Sequence, residues 1–110
     1  MDVKNIDQAI DIIYTGLVSV KSVPVQLRSF RILDLEMLDQ VREAIDFAIK
    51  YYKGKPFVPK KIAIAMVDIY GAFYFKDGFE DEMLRKLEDI GMELQEKALK
   101  LFSEDDFSEN

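Results

Sequence analysis

At 110 residues, about half of them apolar and a third charged, the chain is long enough for one hydrophobic core and too apolar to be a disordered segment. It contains neither histidine nor cysteine, which removes the usual zinc and iron ligand sets, the Ser-His and Cys-His nucleophiles and any disulfide framework. A net charge of −6 disfavours general nucleic-acid binding, because neutralising phosphates takes an extended basic footprint.

The start, with Asp2, Lys4 and Asp7, has no basic flank leading into an apolar stretch, so no signal peptide is expected. With cysteine absent, the default is a cytoplasmic single domain. From Ile6 to Lys21 the apolar residues Ile6, Ala9, Ile10, Ile13, Leu17 and Val20 fall on one helical face. Asn5 is placed to cap this helix, with Gln8 reaching back as in a capping box. Ser22-Val23-Pro24 is expected to end it, since the residue before a proline is pushed out of the helical region.

Val25 to Asp34 carries Val25, Leu27, Phe30, Ile32 and Leu33 without a clean period, which fits a short helical turn or an early start to the next helix. The pattern clears from Leu35 to Lys53. Leu38, Val41, Ile45, Ala48, Ile49 and Tyr52 lie on one side, and Asp39, Arg42, Glu43, Asp46 and Lys50 on the other. Gly54 suits the position just past the helix end, where Lys50 and Lys53 complement the dipole. Residues 55–59 form a connection, with Pro59 fitted to the next first turn.

Ile62 to Phe75 is apolar almost throughout, broken by Asp68 and Gly71. It is too short for a membrane span, which needs about 20 apolar residues. Its β-branched and aromatic residues allow local strand, but the recurrence of Lys61, Ala65, Asp68, Ala72 and Lys76 predicts a central helix with one exposed edge. After Asp77-Gly78, acids at Glu80, Asp81 and Glu82 favour a helix start. The steps of three and four through Met83, Leu87, Ile90, Leu94, Ala98 and Leu101 predict a long amphipathic helix. The reading is therefore all-α: an antiparallel four-helix bundle over residues 1–102, followed by a short, mobile acidic tail over 103–110. Lys76 to Asn110 holds twelve acids against five bases, a charge of −7, which leaves +1 on the first 75 residues.

Several residues look functional. Glu36, Asp39, Glu43 and Asp46, and then Glu88, Asp89, Glu93 and Glu96, have helical spacing. They superficially suggest bundle metal sites or a metal-dependent nucleotide hydrolase, but their positions oppose the apolar stripes, so solvated faces are the expectation and no metal or cofactor is assigned. Asp68 is either a buried carboxylate with a raised pKa or, on its periodicity, an exposed edge residue. Tyr14, Tyr70 and Tyr74 read as packing residues. The main candidate contact surface is the basic-aromatic corner Lys50, Tyr51, Lys53, Lys55 and Phe57, with Phe102 and Phe107 as further exposed aromatics. The competing expectation there is that Tyr52 packs inward while the lysines cap a helix end.

The second half carries Ile69-Tyr70-Gly71-Ala72-Phe73-Tyr74-Phe75, the turn Asp77-Gly78-Phe79, and Glu82-Met83-Leu84-Arg85-Lys86-Leu87-Glu88-Asp89-Ile90-Gly91. In these features Pro56 to Leu101 resembles the immunity proteins of pediocin-like bacteriocins, of the enterocin A immunity type. The resemblance implies a cytosolic antiparallel four-helix bundle without enzymatic activity. Such a protein protects a bacteriocin producer by associating with the mannose phosphotransferase permease, with specificity in the C-terminal region, here Leu101 to Asn110. The chain departs from that family in being acidic and in its short tail. The leading expectation is a non-enzymatic protein-binding bundle, monomeric or homodimeric, whose partner is another protein. The alternatives are an acidic inhibitor of a basic toxin or nuclease, a metal-dependent nucleotide hydrolase, and a structural subunit.

Overall fold

A computed structural model describes residues 3–103. Among these the regular structure is entirely helical. It comprises α1 (Ile6–Leu17), α2 (Val23–Phe30), α3 (Leu35–Tyr52), α4 (Lys60–Met66) and α5 (Asp81–Phe102), with a 3₁₀ turn at Gly71–Phe73. The all-α class agrees with the sequence, but there are five α-helices where four segments were expected. The predicted mobile tail, apart from Ser103, lies outside the described residues, as does Phe107.

The helix ends follow from local chemistry. The Asn5 side chain accepts the Gln8 backbone N–H at 2.8 Å, and the Gln8 side chain accepts the Lys4 N–H at 2.7 Å. The reciprocal arm of the capping arrangement thus lands one residue before the cap itself. α1 stops at Leu17, short of the expected Lys21. The backbone N–H groups of Val18 and Ser19 both turn back to the Tyr14 carbonyl, and the Ser19 hydroxyl donates to the Thr15 carbonyl. Val20, expected on the apolar face, is consequently exposed.

Ser22 begins a helix where it was expected only to end one. Its hydroxyl accepts the Val25 N–H, and Pro24 occupies the first turn of α2, where a missing N–H costs nothing. α2 closes on Arg31, a left-handed residue with φ 57°. Asp34 caps α3 by accepting the Met37 N–H at 3.0 Å. Gly54, with φ 78°, stands just past the C-terminal end of α3 as its sequence position implied.

The apolar run Ile62–Phe75 is not one helix. α4 ends at Met66, residues 67–70 form turns, and the 3₁₀ turn follows. Ile62, Ala65, Met66, Ile69 and Phe73 all reach the core, and their spacing of three and four keeps one helical face across the break. The predicted exposed edge is corrected accordingly: Lys61 and Asp68 are exposed, but Ala65 is buried, while Ile64 faces outward and Val67 is 82% exposed. On α5 the stripe holds, with Leu87, Ile90, Leu94, Ala98 and Leu101 all buried.

Side-chain pairings set the helix directions. Gly16 packs against Val41 near one end of the α1–α3 pair, and the Asp7 charge acts on Tyr52 at the other, so α1 and α3 run antiparallel. Arg42 pairs with Glu93 and Asp46 with Lys97, each 51 positions apart, so α3 and α5 run parallel. The C-terminal ends of α3 and α5 and the N-terminal end of α1 therefore lie together. Ser22, the cap of α2, is the polar residue buried in this core.

Candidate functional site

The basic-aromatic corner is built by the last turn of α3 and the chain that leaves it. On a helix, Tyr51 and Tyr52 point about 100° apart, so only one can face the core. Tyr52 is half-buried and packs against the core, while Tyr51 is 42% exposed. The rings meet edge to face with centroids 4.9 Å apart and planes at 77°. Burial, followed by the neighbouring Tyr51 and Asp7, raises the Tyr52 phenol above its ordinary pKa.

Gly54 then reverses the chain, and Lys55 folds back. Its ammonium donates to the Tyr51 carbonyl at 2.9 Å and stands 4.5 Å from the Tyr51 ring centroid. Lys55 thereby satisfies a carbonyl left without an intrahelical donor and also holds the ring by a cation–π contact. Inward packing of Tyr52 and capping by a lysine thus coexist with outward display of Tyr51. Beyond Pro56, Phe57 is 82% exposed. Lys50 and Lys53 are exposed on the same turn. Phe102, 46% exposed at the end of α5, comes level with Tyr51 in the 51-residue register of α3 and α5.

The acids of α3 and α5 are arranged differently. Glu36, Asp39, Glu43 and Asp46 are exposed. Arg42 binds both Glu93 carboxylate oxygens through Nε at 3.1 and 2.9 Å, adds Nη2 to Oε1 at 2.8 Å, and reaches Asp39 through Nη1 at 2.8 Å. The hydrogen bond to Glu93 is the main cause holding the guanidinium pKa above its usual value. Lys97 donates to Asp46 at 2.6 Å. The Tyr70 hydroxyl donates to Glu88 at 2.8 Å, and that bond, with burial second, raises the Tyr70 phenol above its ordinary pKa.

Tyr70 also borders an open groove of about 470 Å³ with Asp89, Met92, Glu93, Gln95 and Glu96. Among the described residues no three acids are grouped to hold a metal ion. Asp68 is exposed beside Gly71. Tyr70 stacks on Tyr74, which is itself half-exposed, and Tyr14 lies under the Lys61 ammonium. The expected packing role thus fits Tyr14 and Tyr70 better than Tyr74.

The sequence missed the Arg42–Glu93 fork and the Tyr70–Glu88 bond because they join residues far apart in the chain. Arg42 and Glu93 each border an apolar stripe, the only local sign that they face a neighbouring helix. Comparison with protein families, with curated proteins and with solved structures finds no match to this chain. Among the described residues no helix is long and apolar enough to cross a membrane.

Proposed function

We propose that this chain is a non-enzymatic protein-binding helical domain of the bacteriocin-immunity kind, acting in the cytoplasm on a membrane permease complex through the corner Lys50–Phe57. The observation that carries this reading is Phe57, 82% exposed two residues beyond the Lys55 that holds the Tyr51 ring. An aromatic ring presented on a short turn and flanked by cations has the character of an interface anchor. It offers large apolar area at little conformational cost, with charges that select an acidic or carbonyl-rich counterpart. In that reading α1, α3 and α5 form the frame and the corner is its working end.

The test is expression in a host sensitive to a pediocin-like peptide bacteriocin. Cells making the chain are expected to survive the peptide, and cells making Phe57→Ser with Lys50→Glu are expected to die although the variant keeps its circular dichroism and melting temperature. A folded, expressed chain that gives no protection, or protection indifferent to the double substitution, overturns the proposal. A second reading, binding of a basic toxin or nuclease, draws on the acid-lined groove at Tyr70 and Met92. It requires an association rate that falls steeply with salt.

A further inference from the structure

We propose that the outer face of α4 is the contact surface of a homodimer, in which two copies of this chain lay their α4 helices side by side in opposite directions. The proposal stands apart from the reading of the corner. The residues left outside along α4 and its end are Lys60, Lys61, Ile64, Val67 and Asp68. At about 100° per residue these five fall within one arc of about 120°. Val67, just past the last turn, keeps the right-handed helical conformation that holds it on this face. Between the charged ends the face is apolar, with Ile64 62% and Val67 82% exposed.

Charge decides the occupant. Lys61 is engaged within its own chain, 3.6 Å from Asp11 and 4.8 Å from the centroid of the Tyr14 ring. Lys60 and Asp68 are exposed and have no ion pair or side-chain hydrogen bond among the described residues. Each stands four positions from Ile64, on opposite sides of it. Turning a second copy end over end about Ile64 therefore sets Lys60 of each chain opposite Asp68 of the other. Ile64 and Val67 of both chains meet between those pairs. The face is its own complement, which is what a twofold interface requires. An anionic membrane fits less well, because Asp11 and Asp68 border the face and the chain carries −6. Nine helical residues make about two and a half turns, a contact well below the roughly 800 Å² per partner of a standard interface. The dimer is thus expected to dissociate on the order of 0.1 mM. It carries two aromatic corners, one beyond each end of the α4 pair.

The test follows the full chain by sedimentation equilibrium and amide spectra from about 10 µM to about 1 mM, spanning that constant. The mass is expected to rise toward two chains, with concentration-dependent shifts at Lys60 to Asp68. Ile64→Ser with Val67→Ser is expected to keep the circular dichroism and raise the dissociation constant about tenfold or more. Lys60→Glu and Asp68→Lys are each expected to weaken the dimer by a similar factor, since each sets like charges face to face. An equimolar mixture of those two variants is expected to associate again, because their faces are then complementary. A chain that stays monomeric up to about 1 mM, shifts that fall outside Lys60 to Asp68, or a mixture no tighter than its components overturns the proposal. So does binding to phosphatidylcholine vesicles with about 30% phosphatidylglycerol that Ile64→Ser with Val67→Ser abolishes, which would give the face to a membrane.

Discussion

Gly16 lies in α1 where a methyl group would fall on Cγ2 of Val41. Val41 is fully buried in α3 and β-branched, so it has little rotamer freedom with which to move aside. Alanine would raise helix propensity by about 1 kcal/mol, but forcing a carbon into a filled contact costs about 1–3 kcal/mol. Gly16→Ala is therefore expected to lower stability by about 1 kcal/mol in a urea titration, against the sign that propensity alone gives. Gly91 has a comparable role, since a Cβ there would sit 3.1 Å from the Tyr70 carbonyl oxygen. Sequence alone does not show these roles, because what the two glycines touch is far away in the chain. Gly54 was legible because its role, a positive φ just past α3, is local.

At the scale of elements, the ends of α3 and α5 and the start of α1 were readable because caps and periodicity are encoded within a few residues. The segment Ile62–Phe75 was not, since a run that is apolar on every side has no period to show where a helix stops. Beyond the break Tyr70 and Phe73 approach Gly91 of α5, a contact that no local pattern records. The same limit hid the coupling of α3 to α5. Arg42 and Glu93 are each about a third exposed, so solvent and salt screen them. A double-mutant cycle with Arg42→Met and Glu93→Gln is expected to give a coupling of about 1 kcal/mol that shrinks at high salt. A coupling of zero in denaturant titrations would show that the fork does not hold the two helices in register.

The molecule as a whole carries a pH dependence at the alkaline end. Tyr70 and Tyr52 both have phenols raised above the ordinary value near 10, Tyr70 by its bond to Glu88 and Tyr52 by burial. Folding thus favours their neutral forms, and the unfolded chain loses those protons first as pH rises. The stability they contribute is complete below the unfolded value and is lost as pH climbs through the raised folded values. Urea midpoints are expected to hold up to pH 9 and then fall past about 10, and Tyr70→Phe is expected to flatten the decline. An equal decline in that variant would remove Tyr70 from the account. The candidate site was legible in advance because Lys50 to Phe57 are contiguous. Its relation to the end of α5 was not, as it depends on how distant helices pair.

The antiparallel set of α1 against α3, combined with the parallel set of α3 and α5, leaves Val3 and Ser103 at one pole of the body. A short Gly-Ser splice could join them into a ring without crossing the core. The loop at Ile32–Leu33 or the turn at Asp77-Gly78 would then be the natural place to cut new ends, at the pole away from the lysines. Anchoring the molecule at Val3 and Ser103 would pin the aromatic corner against the support and turn the Arg31–Phe79 contact outward.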